Sequence, residues 1–229
     1  MINFIKKILF VKKNKLHHVF RYVNKGDIVF DIGAHHGEKS IKLVQYCSKL
    51  VLVEPQPDCL KVLKKKFLNF KNVEIIPYGV SSKKEILNLK INSQNPLVST
   101  FSDHWDKGRF SNNYWDKSIK IQTTTIDQLI KDYGKPKFIK IDVEGFELNV
   151  LKGLKEKTGI ISFEFTSEFF EEAIKCLDHL NQLGYESFNF SEGERKKFYT
   201  NWSTKKNTLN LLNKMILSNR DFWGDIYAK

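Results

Sequence analysis

Asp31 closes the apolar run VFD, Glu54 closes VLVE, and Asp142 closes FIKID with Glu144 two residues beyond. An acid just past a strand-like apolar run stands where open α/β sheets present their ligand-binding groups. Glu54 follows Asp31 at roughly the 20-residue distance that separates a glycine turn from a ribose-binding acid. An ionised carboxylate has acceptors only, so it can take both O–H donors of a ribose at once. Between the two acids the chain turns through Gly33 and Gly37 in DIGAHHGEKS. Asp31, Gly33, Ala34, His35 and Gly37, followed by Glu54, Pro55 and Gln56, are therefore candidate cofactor-binding residues.

The spacing of the glycines bears on which adenosine ligand is bound. A dinucleotide loop requires G-x-G-x-x-G, whereas this chain has G-x-x-x-G with His35 where the second glycine would stand. No G-x-x-x-x-G-K-[ST] loop occurs anywhere in the sequence. What remains is a ligand with a zwitterionic amino-acid tail over the turn and a ribose on Glu54, as in S-adenosylmethionine. The bland alternative is a glycine turn that only starts a helix.

Methyl transfer from a sulfonium to an alcohol is an in-line displacement, and the alcohol must lose its proton as the new bond forms. Asp142 and Glu144 are the candidates to accept that proton or to orient the acceptor. Alternatively, together with Glu164 at the end of ISFEF, they supply the oxygen ligands of a hard divalent cation. Either acid could instead cap the helix that begins near Gly145. His104 in TFSDHW is a second candidate base, since an unperturbed imidazole already titrates in a suitable range. His35 either donates to the cofactor carboxylate or shields the turn. Trp105, Tyr114 and Trp115 either pack a lid or stack on a sugar face.

The elements that must position these groups alternate between β-rich runs and helical periods, which predicts an α/β fold: a single doubly wound, Rossmann-like domain. Strands are predicted at 28–32, 50–54, 73–77, 137–142, 159–165 and 185–190. Helices are predicted at 37–48, 57–69, 145–153 and 168–183. EILNLKI (85–91) and IKIQTTT (119–125) read as further strands, the second leading into a short helix capped by Thr125 with Asp127 and Gln128 in its first turn. The irregular aromatic stretch between them, about 92–118, is predicted to be a lid or binding loop.

These motifs resemble those of the FkbM-type methyltransferases, a branch of the class I S-adenosylmethionine-dependent enzymes that methylate hydroxyls on sugars and polyketides. FDIGAHHGEKS resembles the cofactor loop of that family and VEPQPDCLKVLKKKF its ribose-binding strand and helix. NVEIIPYGVSSKKEILNL resembles its adenine-side strand, and KIDVEGFELNVLKGL its most specific motif. The resemblance runs from about residue 27 to the final GDIYAK. It implies a mostly parallel seven-stranded sheet whose last strand is antiparallel, with adenine against Val80 and Ser81 or Ser82. Where members usually carry alanine this chain has Val80, and Gly79 stands where a polar side chain is often found. The implied reaction is O-methylation of a sugar, a glycan precursor or a related small molecule, with a nucleotide-linked sugar as one acceptor.

Composition fits one domain: 229 residues, 41% hydrophobic and 13% aromatic. Cys47, Cys59 and Cys176 lie far apart without C-x-x-C spacing, which suggests reduced thiols in a cytoplasmic protein. A net charge of +12 favours anionic partners without choosing among them. A nucleic-acid methyltransferase gains from that charge. Yet an amino-methylating enzyme would carry [DNS]-P-P-[FYW] at the fourth strand and a cytosine C5 enzyme a Pro-Cys nucleophile, and neither occurs. A third class, a non-catalytic basic module, has no need of the cofactor turn or ribose acid. Residues 1–24 form a basic amphipathic segment of one or two helices, interrupted by lysines too often to span a membrane. It packs on the core, forms the substrate mouth, or lies on the inner face of an anionic membrane.

Overall fold

The computed structural model describes residues 22–105, 108–193, 195 and 197–229. Most of the predicted N-terminal helical segment lies outside these residues. Among the described residues, ten strands form two sheets. Seven make a single sheet in the order β3 (Val73–Ile76), β2 (Lys49–Val53), β1 (Ile28–Ile32), β7 (Phe138–Ile141), β8 (Ile160–Thr166), β10 (Trp223–Ala228), β9 (Phe188–Glu192). All neighbours pair in parallel except β10, which runs antiparallel to both β8 and β9. This is the predicted mostly parallel sheet with an antiparallel last strand.

Both faces of the sheet are covered, which is why its strands read as almost unbroken apolar runs. Along β1 and β2, Phe30, Ile32, Val51 and Val53 point to one face. There they meet α2 (Ile126–Tyr133), α3 (Glu147–Leu151), α4 (Phe170–Gln182) and α5 (Lys205–Ser218) through residues such as Leu129, Val150, Leu177 and Leu212. Val29, Leu50 and Leu52 point to the other face and pack on Leu63 and Phe67 of α1 (Pro57–Phe67) and on Ile41 and Val44. Cys47, Cys59 and Cys176 are free and buried.

The predicted strands at 85–91 and 119–125 pair with each other. β5 (Ile86–Ile91) runs antiparallel to β6 (Lys117–Thr124), and the short β4 (Gly79–Val80) joins the other side of β6 in parallel. The aromatic insertion is therefore the connection of a hairpin. Thr125 caps α2 as predicted, its hydroxyl accepting the Gln128 N–H at 3.1 Å. Thr125→Ala should cost about 1 kcal/mol of stability, read as a lower urea midpoint with an unchanged slope.

Four local expectations differ from the structure. Residues 37–48 form no α-helix; a single 3-10 turn, Ser40–Lys42, is followed by irregular turns. The Ser40 hydroxyl is drawn to buried Asp31, and the Asn72 side chain donates to the carbonyls of Val44 and Cys47, so these tertiary bonds replace a helical ladder. The helix after Asp142 starts at Glu147 rather than Gly145, because Glu144 (φ 55°) and Gly145 (φ 86°) are left-handed. The predicted strand at 185–190 begins at Phe188, since Tyr185 is a buried core residue whose hydroxyl donates to the Gly159 carbonyl. Finally, α5 was not foreseen.

Candidate active site

The strand order reverses at β1: the chain goes outward to β2 and β3, then returns to β7 on the other side. A crevice at the carboxyl ends of such strands is the usual ligand site of an open α/β sheet. Here that crevice is lined by Gly33, His35, Glu54, Pro55, Gln56, Val80, Asp142 and Glu144, eight of the residues proposed from sequence. Gly33 is fixed there by sterics, since its φ is 81° and a Cβ would fall 1.8 Å from the carbonyl oxygen of Asp142.

Glu54 is 2% exposed. One carboxylate oxygen accepts the His35 N–H at 2.7 Å and the other the Gln56 N–H at 2.9 Å. The side chain thus ties the turn after β1 to the end of β2. A carboxylate has about four acceptor positions, so two remain for a ribose diol. Burial pushes the Glu54 carboxyl up to about 7 despite those two donors. His35 adopts φ 47°, stacks against His36 at 3.9 Å between centroids, and has Nε2 buried without a hydrogen-bond partner. Burial first and His36 second hold its imidazole below the usual range, which keeps it neutral.

Five candidates stand outside the crevice lining. Asp31 is buried beneath it, accepting from Ser40 and lying 3.4 Å from the Lys140 ammonium. Ala34 packs in the core, its N–H bonded to the Val53 carbonyl. A Cβ on Gly37 would meet Phe67 at 2.6 Å, so that glycine serves the packing of α1. Ser81 spends its N–H on the Thr124 carbonyl and its hydroxyl on Glu85. His104 is exposed, with its backbone N–H on the Ser102 hydroxyl. Gly79 does line the crevice, and its missing side chain leaves room for Phe101 from the insertion.

Beyond β7 the charges form a connected group. Asp142 is bonded to Lys140 at 2.8 Å and lies 3.6 Å from Lys39. Burial alone would raise its carboxyl, but the two ammonium groups prevail and hold it near 2. Lys140 stays protonated for the complementary reason: Asp142 and Asp31 outweigh its desolvation. Glu144 lacks such a lysine, and burial, then Asp142, push its carboxyl well up. Glu164 is raised by the same two causes in the same order. Asp142 is thus held as an anion, whereas burial favours the protonated form of Glu144 and Glu164.

Glu147 was not singled out from sequence. Its buried carboxylate accepts the Val143 N–H at 3.0 Å and the Gly145 N–H at 3.4 Å, bracketing Glu144 in its left-handed conformation. An acid at the first helical position favours the helix N-terminus, and Glu147 two residues after Gly145 was its trace in the sequence.

Carboxylate oxygens of Asp142, Glu144 and Glu164 lie within 4.8 Å of one another. They form a hard oxygen set of the kind that holds Mg²⁺ or Mn²⁺. His35, His36 and Cys59 form a similar group, but burial pushes the Cys59 thiol up to about 12, so it offers no thiolate at neutral pH.

The insertion closes over this region. Trp105 stacks on Phe169 at 4.5 Å and on Phe110 at 4.4 Å, and Arg109 grips Glu168 through two nitrogens at 2.7 and 3.2 Å. Trp105 packs the lid. Trp115 donates to the Val98 carbonyl, and Tyr114 is exposed.

The sequence profile of the methyltransferase FkbM domain matches residues 31–187, more than half of the chain. The chain belongs to the FkbM methyltransferase family. Its methyl donor is accordingly S-adenosylmethionine. No curated protein matches the chain. Among solved structures it is similar to the FkbM methyltransferase from Methylobacillus flagellatus KT at 16% identity and a TM-score of 0.52, over 96% of this chain and 47% of that one. The chain thus spans about half the length of that FkbM relative. It is similar also to precorrin-6y C5,15-methyltransferase from Geobacter metallireducens GS-15, at 13% identity and a TM-score of 0.50 over 96% and 90% of the two chains. At such identities the likeness is one of fold. Among the described residues, no helix of this FkbM protein is long and apolar enough to cross a membrane.

Proposed function

We propose that this FkbM protein transfers the methyl group of S-adenosylmethionine to a hydroxyl of a sugar, a glycan precursor or a related small molecule, including a nucleotide-linked sugar. The observation that carries this is that one crevice is lined by two buried carboxyls, Glu54 just past β2 and Glu144 beyond β7. Glu54 would hold the ribose diol while the turn at Gly33 and His35 lies under the amino-acid tail. In the transfer step the acceptor oxygen forms its bond to the methyl carbon as the bond from carbon to sulfur breaks. The sulfonium leaves as a neutral thioether, and the hydroxyl proton passes to Glu144 in its ionised, carboxylate form. Lys140 and Lys39 keep Asp142 ionised beside it. If the three carboxylates hold a divalent cation instead, it would orient the acceptor oxygen as a Lewis acid.

The test is methyl transfer from tritiated cofactor to a panel of nucleotide sugars, neutral and acidic oligosaccharides, transfer RNA and duplex DNA. Label is expected in a saccharide. Label in nucleic acid with every saccharide unlabelled would contradict the proposal. The same assay after EDTA treatment, with Mg²⁺ or Mn²⁺ added back, separates a metal role from a direct proton-accepting role, because a hard cation on carboxylates exchanges readily.

A further inference from the structure

A second, smaller cavity is lined by Gly145 and Glu147, the residues that follow the Asp142–Glu144 edge of the cofactor crevice. Its enclosed space is about 30 Å³, room for one or two waters or for the edge of a ring. Two polar atoms in the residues that line it are buried without a hydrogen-bond partner: the indole N–H of Trp105 and the hydroxyl of Thr166. Trp105 is 4% exposed and Thr166 5% exposed. Buried polar groups are nearly always satisfied, so two orphans on residues that line one cavity point to a polar occupant beside them.

The cavity also has a chemical connection to the crevice. Glu164 lines the cavity, Asp142 and Glu144 line the crevice, and the three carboxylates lie within 4.8 Å of one another. Glu164 and Thr166 are two residues apart on β8 and so share a face of the strand. The carboxylate group is the partition between the two spaces.

We infer that this cavity receives the hydroxyl-bearing edge of the methyl acceptor, recognising a vicinal diol of a pyranose. This rests on the proposed sugar O-methylation. The Trp105 indole donates to one hydroxyl oxygen. Thr166, able to donate and accept, takes the neighbouring hydroxyl, and Glu164 accepts a hydrogen bond from the pair. Phe169, stacked on Trp105, holds the indole in place.

The experiment uses the full chain saturated with S-adenosylhomocysteine. The probes are methyl α-D-mannopyranoside, methyl α-D-glucopyranoside and methyl α-L-rhamnopyranoside, followed by saturation-transfer NMR. At least one pyranoside is expected to bind. Thr166→Val should weaken it about tenfold and Trp105→Phe comparably, with cofactor-product affinity within twofold of wild type and Thr166→Ser restoring binding. The melting temperature of Thr166→Val should stay level or rise, since an unsatisfied buried hydroxyl is removed; a merely structural threonine would give a fall. Equal pyranoside binding in wild type and both variants overturns the cavity assignment. If methyl transfer to those sugars also persists undiminished in the variants, sugar O-methylation stands without the cavity. If no pyranoside binds, the cavity assignment is overturned; sugar O-methylation falls with it only if the labelled-cofactor panel also leaves every saccharide unlabelled.

Discussion

Glu144→Gln is expected to lower turnover by roughly 10²- to 10⁴-fold, the range for loss of a general acid or base. Cofactor affinity should change little, because glutamine keeps the size and one acceptor of the original. Glu144 is the best-placed proton acceptor because its carboxyl is raised by burial and by Asp142, while Asp142 itself is held low by Lys140 and Lys39. The pH profile carries the same sign. An acid with a raised pKa loses its proton late, so kcat/KM should climb with pH above the ordinary carboxylate range and flatten once Glu144 is ionised. Asp142→Asn should act differently. It leaves the Lys140 ammonium without its nearest partner, and breaking a buried pair on one side costs about 3–5 kcal/mol of stability, an upper figure here because Asp142 is partly open to solvent. If Glu144→Gln retains near-normal turnover without sensitivity to chelators, the proton must go elsewhere, and Glu164 becomes the first residue to replace.

Glu54→Ala should weaken S-adenosylhomocysteine binding by about 1.5–3 kcal/mol, the value of hydrogen bonds to a charged group. The change also frees the N–H groups of His35 and Gln56, so the turn after β1 loosens with it. The carboxylate form is the one that accepts both ribose hydroxyls. Because burial lifts the free protein's Glu54 to about 7, binding should expel a proton and affinity should rise with pH up to that value, by at most about tenfold per unit. In Glu54→Ala this dependence should vanish. Calorimetry in two buffers of different ionisation enthalpy reads both the affinity and the proton count, and an unchanged affinity would remove Glu54 from the site.

Much of this was legible because strands buried on both faces leave a strong signature. IVFDI, KLVLV and FIKI are apolar apart from Asp31, Lys49 and Lys140, so the position of each strand, and of the acid at or just past its end, could be read directly. Glu54, Asp142 and Glu144 fell into one crevice for that reason. What escaped was set by contacts distant in sequence. Residues 37–48 have a helical period, yet Asn72 and Asp31 claim their polar groups. Gly37 looked like a cofactor glycine and is instead a packing glycine under Phe67. The antiparallel last strand, Trp223–Ala228, came from the family resemblance alone, since its pairing with β8, nearly 60 residues earlier, is encoded by no local pattern. The difference between Asp142 and Glu144 is likewise tertiary. It depends on Lys39 and Lys140 converging on one carboxylate and not the other.

The most direct test of the account is a crystal structure of the S-adenosylhomocysteine complex. Both ribose hydroxyls are expected within hydrogen-bond reach of the Glu54 carboxylate, with the cofactor sulfur directed toward Glu144. A ribose held by any other side chain, or a sulfur turned away from the Asp142, Glu144 and Glu164 carboxylates, would contradict it.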